Sequence, residues 1–117
     1  TYMGALANFF TWCETNRPNA AVAVVVQTAA SATYSPSDYR HDVANANGNF
    51  LHEFQAATRT MCEKYGRPYI DPNRFGIGFL DSGDDTSDGL HWDTSGAVRI
   101  AKIYAAETRR LADAGWI

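Results

Sequence analysis

The chain is poor in the features that most readily announce a chemistry. It has two cysteines, Cys13 and Cys62, too far apart in sequence for a CxxC redox motif or a zinc-ligand spacing. No run of about 18 apolar residues occurs, so no segment reads as a membrane-spanning helix. Basic residues are not in excess: 10 Lys and Arg stand against 13 Asp and Glu, a net charge of −3. A nucleic-acid footprint would show clustered Lys and Arg, so none is expected. Internal repeats and low-complexity tracts are missing as well. No charged segment followed by an apolar core opens the chain, so no signal peptide is read there. The sequence begins at Thr1 and runs at once into a helical pattern. It therefore reads as a piece of a longer protein.

What is present is ordinary globular material. The 117 residues allow one domain, 45% of them are apolar, and six Phe, six Tyr and three Trp can bury a core. Residues 2–16 carry Met3, Leu6, Ala7, Phe10 and Cys13 at helical spacing, with Ala5, Phe9 and Trp12 as a second stripe. That pattern predicts a helix packed on more than one side. Residues 20–27 form a continuous run rich in Val, which predicts a strand buried on both faces of a parallel sheet. A long helical region is predicted over 37–65. Its first part is Asn-rich and broken by Gly48, and its second part has a regular stripe of Phe50, Phe54, Ala57, Met61 and Tyr65. Gly66 and Pro68 end it. A short strand over 67–71 follows, then a loop over 72–90 rich in Gly and Asp. A last helix runs from 95 to 114, with Asp93, Thr94 or Ser95 as N-cap and Ala97, Ile100, Ala101, Tyr104, Ala105, Thr108 and Leu111 as its buried stripe. Alternation of helix and strand predicts an α/β fold. Within helices, Cys13 and Cys62 read as small buried hydrophobes, with a disulfide as the rival.

The informative stretch is Asp88-Gly89-Leu90-His91-Trp92-Asp93-Thr94-Ser95-Gly96. An Asp and a His three residues apart close a loop that follows a strand and opens a helix, where α/β folds place ligands. A tight turn through Gly89 would let the Asp88 carboxylate reach one ring nitrogen of His91, which leaves the other to act as a base. Without further context, the same two residues could simply shape the turn before the helix.

The stretch Asp88-Gly89-Leu90-His91, then Gly96, then Ile100-Ala101 resembles the final conserved block of SGNH (GDSL-type) esterases and lipases. The order of elements before it is similar to the second half of such a domain. The resemblance covers nearly the whole chain as layout and is specific over residues 86–104. It implies a three-layer α/β/α, flavodoxin-like fold with a parallel sheet, of which residues 1–117 are a C-terminal partial domain. It implies His91 as general base and Asp88 as its orienting acid in a Ser-His-Asp triad, with no cofactor or metal. The implied substrates are acyl esters or O-acetylated carbohydrates.

The family's nucleophilic Ser, oxyanion-hole Gly and oxyanion-hole Asn lie in blocks that precede this one, and none is here. The serines at 31, 35, 37, 82, 87 and 95 sit in no such block. The rest of the domain, or a second chain, must supply these groups, and this chain by itself is expected to be inactive. Trp92 departs from the family, where Pro or a small polar residue is common. The rival reading is a non-catalytic structural or interaction module with the same fold. His41 and His52 read as structural or solvated, not as a metal triad with His91. Asp81, Asp84, Asp85 and Asp88 lack the calcium-loop pattern and read as a solvated loop.

Overall fold

In a computed structural model of the chain, residues 1–28, 30, 40–77 and 85–117 are described. Among the described residues, three α-helices, α1 (Tyr2–Asn16), α2 (Leu51–Lys64) and α3 (Thr94–Asp113), accompany two short strands, β1 (Val24–Val25) and β2 (Tyr69–Ile70). The strands are parallel, with Val24 opposite Tyr69 and Val25 opposite Ile70. A single 3₁₀ turn, Pro72–Phe75, follows β2. The architecture is therefore α/β with a small parallel sheet.

The first helix starts because the Thr1 hydroxyl accepts from the Gly4 N–H, which satisfies one orphan donor of the first turn. Phe10 and Cys13 face inward, and Leu6 and Ala7 pack beside them. Phe10 meets Met61 and Cys62 of α2, and Val24 and Tyr69 of the strands close the cluster. A Tyr2 hydroxyl bond to Thr58 at 2.8 Å and an edge-on contact of Tyr2 with Phe54 extend the α1–α2 seam. Both cysteines are buried and unbonded, and Cys62 is a small hydrophobe of this cluster.

Tyr69 points into the α1–α2 side. Ile70, the next residue on the strand, must therefore point to the other face. It is buried there, and α3 packs against β2. Val25 shares that face but is 47% exposed. The expected burial of residues 20–27 on both faces is thus corrected. Only Val24 and Val25 enter the ladder, Val26 is fully buried, and the outward positions lie open. The reason is coverage: β2 is the only strand beside β1 among the described residues. The second stripe of α1 (Phe9 and Trp12) is exposed for the same reason, as are Ala97, Ala101, Ala105 and Thr108 of α3.

The helix expected from residue 37 begins at Leu51. Residues 37–39 lie outside the described residues, Arg40 forms an isolated parallel bridge with Ala30, and 41–50 are turns and irregular chain. Asn45 explains this. Its side-chain oxygen accepts from the N–H groups of Asn47 and Asn49, and its own N–H donates to the Asn49 carbonyl. Such local bonds compete with a helix for the same backbone groups. Gly48 at φ +79 completes the turn, a conformation that costs other residues energy. Phe50 cannot cap α2 with its side chain. Glu53 instead reaches back to the Phe50 N–H at 2.7 Å.

The carboxyl ends of both strands are tied together. The Gln27 carbonyl, just past β1, accepts from Gln55 of α2 and from Asn73 in the 3₁₀ turn. Asp71, just past β2, has a side chain only 2% exposed and accepts from the Arg59 Nε at 2.8 Å and from Asn73. Burial pushes the Asp71 carboxyl up, but the bonds from Arg59 and Asn73 outweigh it and hold it below the usual range. These bonds fix where the chain leaves the sheet toward α3.

Candidate active site

The turn that opens α3 is built from its base upward. Thr86 and Trp92 face each other in an antiparallel bridge. The Asp93 N–H donates to the Asp85 carbonyl and the Ser87 N–H to the His91 carbonyl, each at 3.0 Å. Neither bond uses the N–H of Trp92. A proline at that position would leave both intact, so the departure from the esterase pattern there does not alter the hairpin's backbone bonding.

At the tip, Gly89 takes φ +91, a left-handed conformation that a side chain would strain. The reversal lets the Asp88 Oδ1 accept from the N–H groups of Leu90 (3.0 Å) and His91 (2.8 Å). The Asp88 Oδ2 lies 2.7 Å from the His91 Nδ1. The two residues picked out by the sequence are therefore in direct contact. The His91 and Leu90 N–H groups and the His91 ring between them hold the Asp88 carboxyl at about 2, with the His91 N–H the largest cause. Asp88 is thus ionised at neutral pH, and an ionised carboxylate only accepts hydrogen bonds. Nδ1 must then be the donor. In the neutral ring the basic lone pair falls on Nε2, which is the form a general base requires. The His91 side chain is 71% exposed and that of Asp88 46% exposed.

The helix itself is started by Asp93, whose Oδ1 accepts from the Gly96 N–H and the Ser95 hydroxyl, each at 2.8 Å. The Gly96 N–H, followed by the Ser95 hydroxyl, holds the Asp93 carboxyl below its usual range. Gly96 has a further reason to be glycine. A Cβ at this position would stand 2.0 Å from the Asp85 carbonyl oxygen. The helix and the loop base touch there, backbone to backbone.

The acidic run of the sequence resolves into separate tasks. Asp85 pairs with Arg99 and Asp88 with His91, while residues 81 and 84 lie outside the described residues. No group of three His, Cys, Asp or Glu converges on a metal site among the described residues. His41 and His52 do meet, ring centroids 5.1 Å apart, and Phe50 stacks on His52 at 5.3 Å. Of the serines, Ser87 bonds the His91 carbonyl at 3.4 Å and Ser95 supports the cap, while 31, 35, 37 and 82 lie outside the described residues. The Arg99 contacts at the loop base were not anticipated. An arginine on a helix carries no local signal of a partner 14 residues earlier.

A cavity of about 520 Å³ lies elsewhere, lined by Tyr69 and Phe75 around β2 and by Arg110, Leu111 and Trp116 at the far end of α3. None of Asp88, His91 or the residues between them lines it. No helix among the described residues is long and apolar enough to cross a membrane.

No family model matches the chain, and no curated protein matches it. Among solved structures, the chain is similar to the crystal structure of a protein from Lactobacillus plantarum, with a TM-score of 0.78 and 21% identity. The likeness covers all of this chain and 55% of that one. At this identity it shows a shared fold, and the chain spans about half of that protein's length.

Proposed function

We propose that the chain is the C-terminal portion of an SGNH-type serine hydrolase domain, in which His91 is the general base and Asp88 orients it. The observation that carries this reading is the 2.7 Å pair between the Asp88 Oδ2 and the His91 Nδ1 at the mouth of α3. The finer fold reading, three layers with a flavodoxin-like sheet, draws support from Tyr69 and Ile70 facing opposite ways, toward α1–α2 and toward α3. The open faces at Val25, Phe9 and Trp12 suit cover by the remaining part of such a domain.

In this reading the reaction is acyl-ester hydrolysis. His91 Nε2 takes the proton of a serine hydroxyl as its oxygen attacks the ester carbonyl. The resulting imidazolium is stabilised by ionised Asp88. It returns the proton to the alkoxide as the ester C–O bond breaks, leaving an acyl-serine and a free alcohol. Water, deprotonated by the same nitrogen, then releases the acid. The serine and the oxyanion donors belong to blocks outside this sequence, carried by the rest of the domain or by a second chain. Small acyl esters and O-acetylated carbohydrates are the substrates proposed.

Hydrolysis of p-nitrophenyl acetate and of acetylated sugars by the full-length protein tests the proposal. Activity that falls at least about a hundredfold in both His91→Ala and Asp88→Asn supports it. Activity that survives both substitutions overturns it. A full-length protein with no activity on any ester favours the non-catalytic module.

A further inference from the structure

We infer that Asp85 and Arg99 form a clamp that positions the Asp88–His91 turn, making both of them positioning residues for the base. The inference rests on the reading of His91 given above.

Arg99 lies in the second turn of α3. Its Nη1 bonds the Asp85 carboxylate, and its Nη2 donates to the Gly76 carbonyl at 2.8 Å. One guanidinium thus joins three pieces of chain: the helix, the loop base at Asp85 and the segment that follows β2. A fork of fixed geometry can hold two acceptors at once, which a lysine ammonium on a flexible stem does not reproduce. The Asp85 side chain is 11% exposed, so its charge needs this partner. The Asp85 main chain is occupied as well. Its carbonyl accepts from Asp93 and lies against Gly96, where no Cβ fits.

These contacts reach the dyad through the hairpin. Asp85 and Asp93 close its base, Ser87 and His91 bond one step above, and Asp88 and His91 form the tip. The hairpin's hydrogen bonds run from its base to the pair, whose side chains are 71% (His91) and 46% (Asp88) exposed. Their mutual orientation depends on the hydrogen-bonded frame below, and that frame is anchored to the sheet end through Arg99 and Gly76. Catalytic geometry is sensitive at this scale, since a 1 Å displacement can cost about a hundredfold in rate.

The test uses nuclear magnetic resonance of the full-length protein, read at the His91 ring and the Asp88 carboxyl. The wild type should hold the His91 proton on Nδ1 and titrate Asp88 near 2. Arg99→Gln and Asp85→Asn should raise the Asp88 midpoint toward about 4, the value of an unperturbed carboxyl. Both should also mix in the other ring tautomer. Arg99→Lys keeps the charge but loses one arm and should fall between. Arg110→Gln, at the far end of α3, should change neither signal. Ester hydrolysis, where present, should lose kcat by about ten- to a hundredfold with KM retained.

The inference is overturned if the folded clamp variants keep the wild-type tautomer and midpoint. It is equally overturned if every substitution at 85 and 99, Arg99→Lys included, unfolds the chain, since the clamp would then serve the fold alone. A wild type without esterase activity would sink the hydrolase reading yet leave the resonance result to be read as stated.

Discussion

Gly96→Ala separates two physical effects of opposite sign. Gly96 is the third residue of α3, where intrinsic propensity favours alanine over glycine by up to about 1 kcal/mol. Packing says the reverse. The new Cβ would lie 2.0 Å from the Asp85 oxygen and 2.9 Å from both its carbonyl carbon and its Cβ. To reach ordinary contact at 3.4 Å the helix start and the loop base must separate by about 1.4 Å. Overpacking of this kind costs about 1–3 kcal/mol. The separation also stretches the 3.0 Å bond from Asp93 to Asp85, worth about 1 kcal/mol. Less the propensity gain, the net loss is about 1–3 kcal/mol. For a chain of this size that is a fall in Tm of roughly 4–12 °C. Thermal unfolding followed by circular dichroism measures it. A variant as stable as the wild type, or more stable, would show that propensity governs this position and that the close approach does not exist.

Three further outcomes follow from particular contacts. Asp88 is lowered from 3.8 to about 2, so its stabilising bonds are fully in place above about pH 4 and are lost as the pH falls toward 2. A carboxyl titration with its midpoint near 3.8 would contradict the pair with His91. Arg59→Met removes the cation beside Asp71, whose side chain is 2% exposed, and should destabilise the fold by about 2–4 kcal/mol in urea unfolding. A loss below about 0.5 kcal/mol would mean that Asn73 alone satisfies that carboxylate. Cys13 and Cys62 should both react with a thiol reagent once the protein is denatured without reductant, and Cys62, its thiol pushed up by burial, should resist in the folded state. Fewer than two reactive thiols would point to a disulfide.

The elements most legible in the sequence are those whose signals are local. Helical spacing and caps locate α1, the regular part of α2 and α3. Asp93 caps the last helix, and Gly66 and Gly115 take φ +59 and +76 at helix ends. The Asp88–His91 contact was readable because a three-residue spacing through a glycine is a local signal for two side chains that meet across a tight turn. What escaped the reading depends on competition or on distance. The Asn45 turn took residues from the predicted helix by supplying acceptors of its own. The Val run at 20–27 gave the right sheet type but overstated the burial, which depends on neighbours the strand does not encode. The partners of Arg59 and Arg99 lie 12 and 14 residues away, set by the packing of the helices on the sheet end. Gly96 stood in the stretch read as informative, but the reason for it, a backbone at 2.0 Å from any Cβ, lies only in the assembled structure.

The central claim is that His91, held by Asp88, serves a nucleophilic serine. Covalent labelling of the full-length protein with a fluorophosphonate probe tests it most directly. The account predicts one labelled serine per protein, located before residue 1 of this sequence or on a second chain, and labelling slowed at least about a hundredfold in His91→Ala. A protein that takes up no probe, or takes it up equally fast without His91, would contradict it.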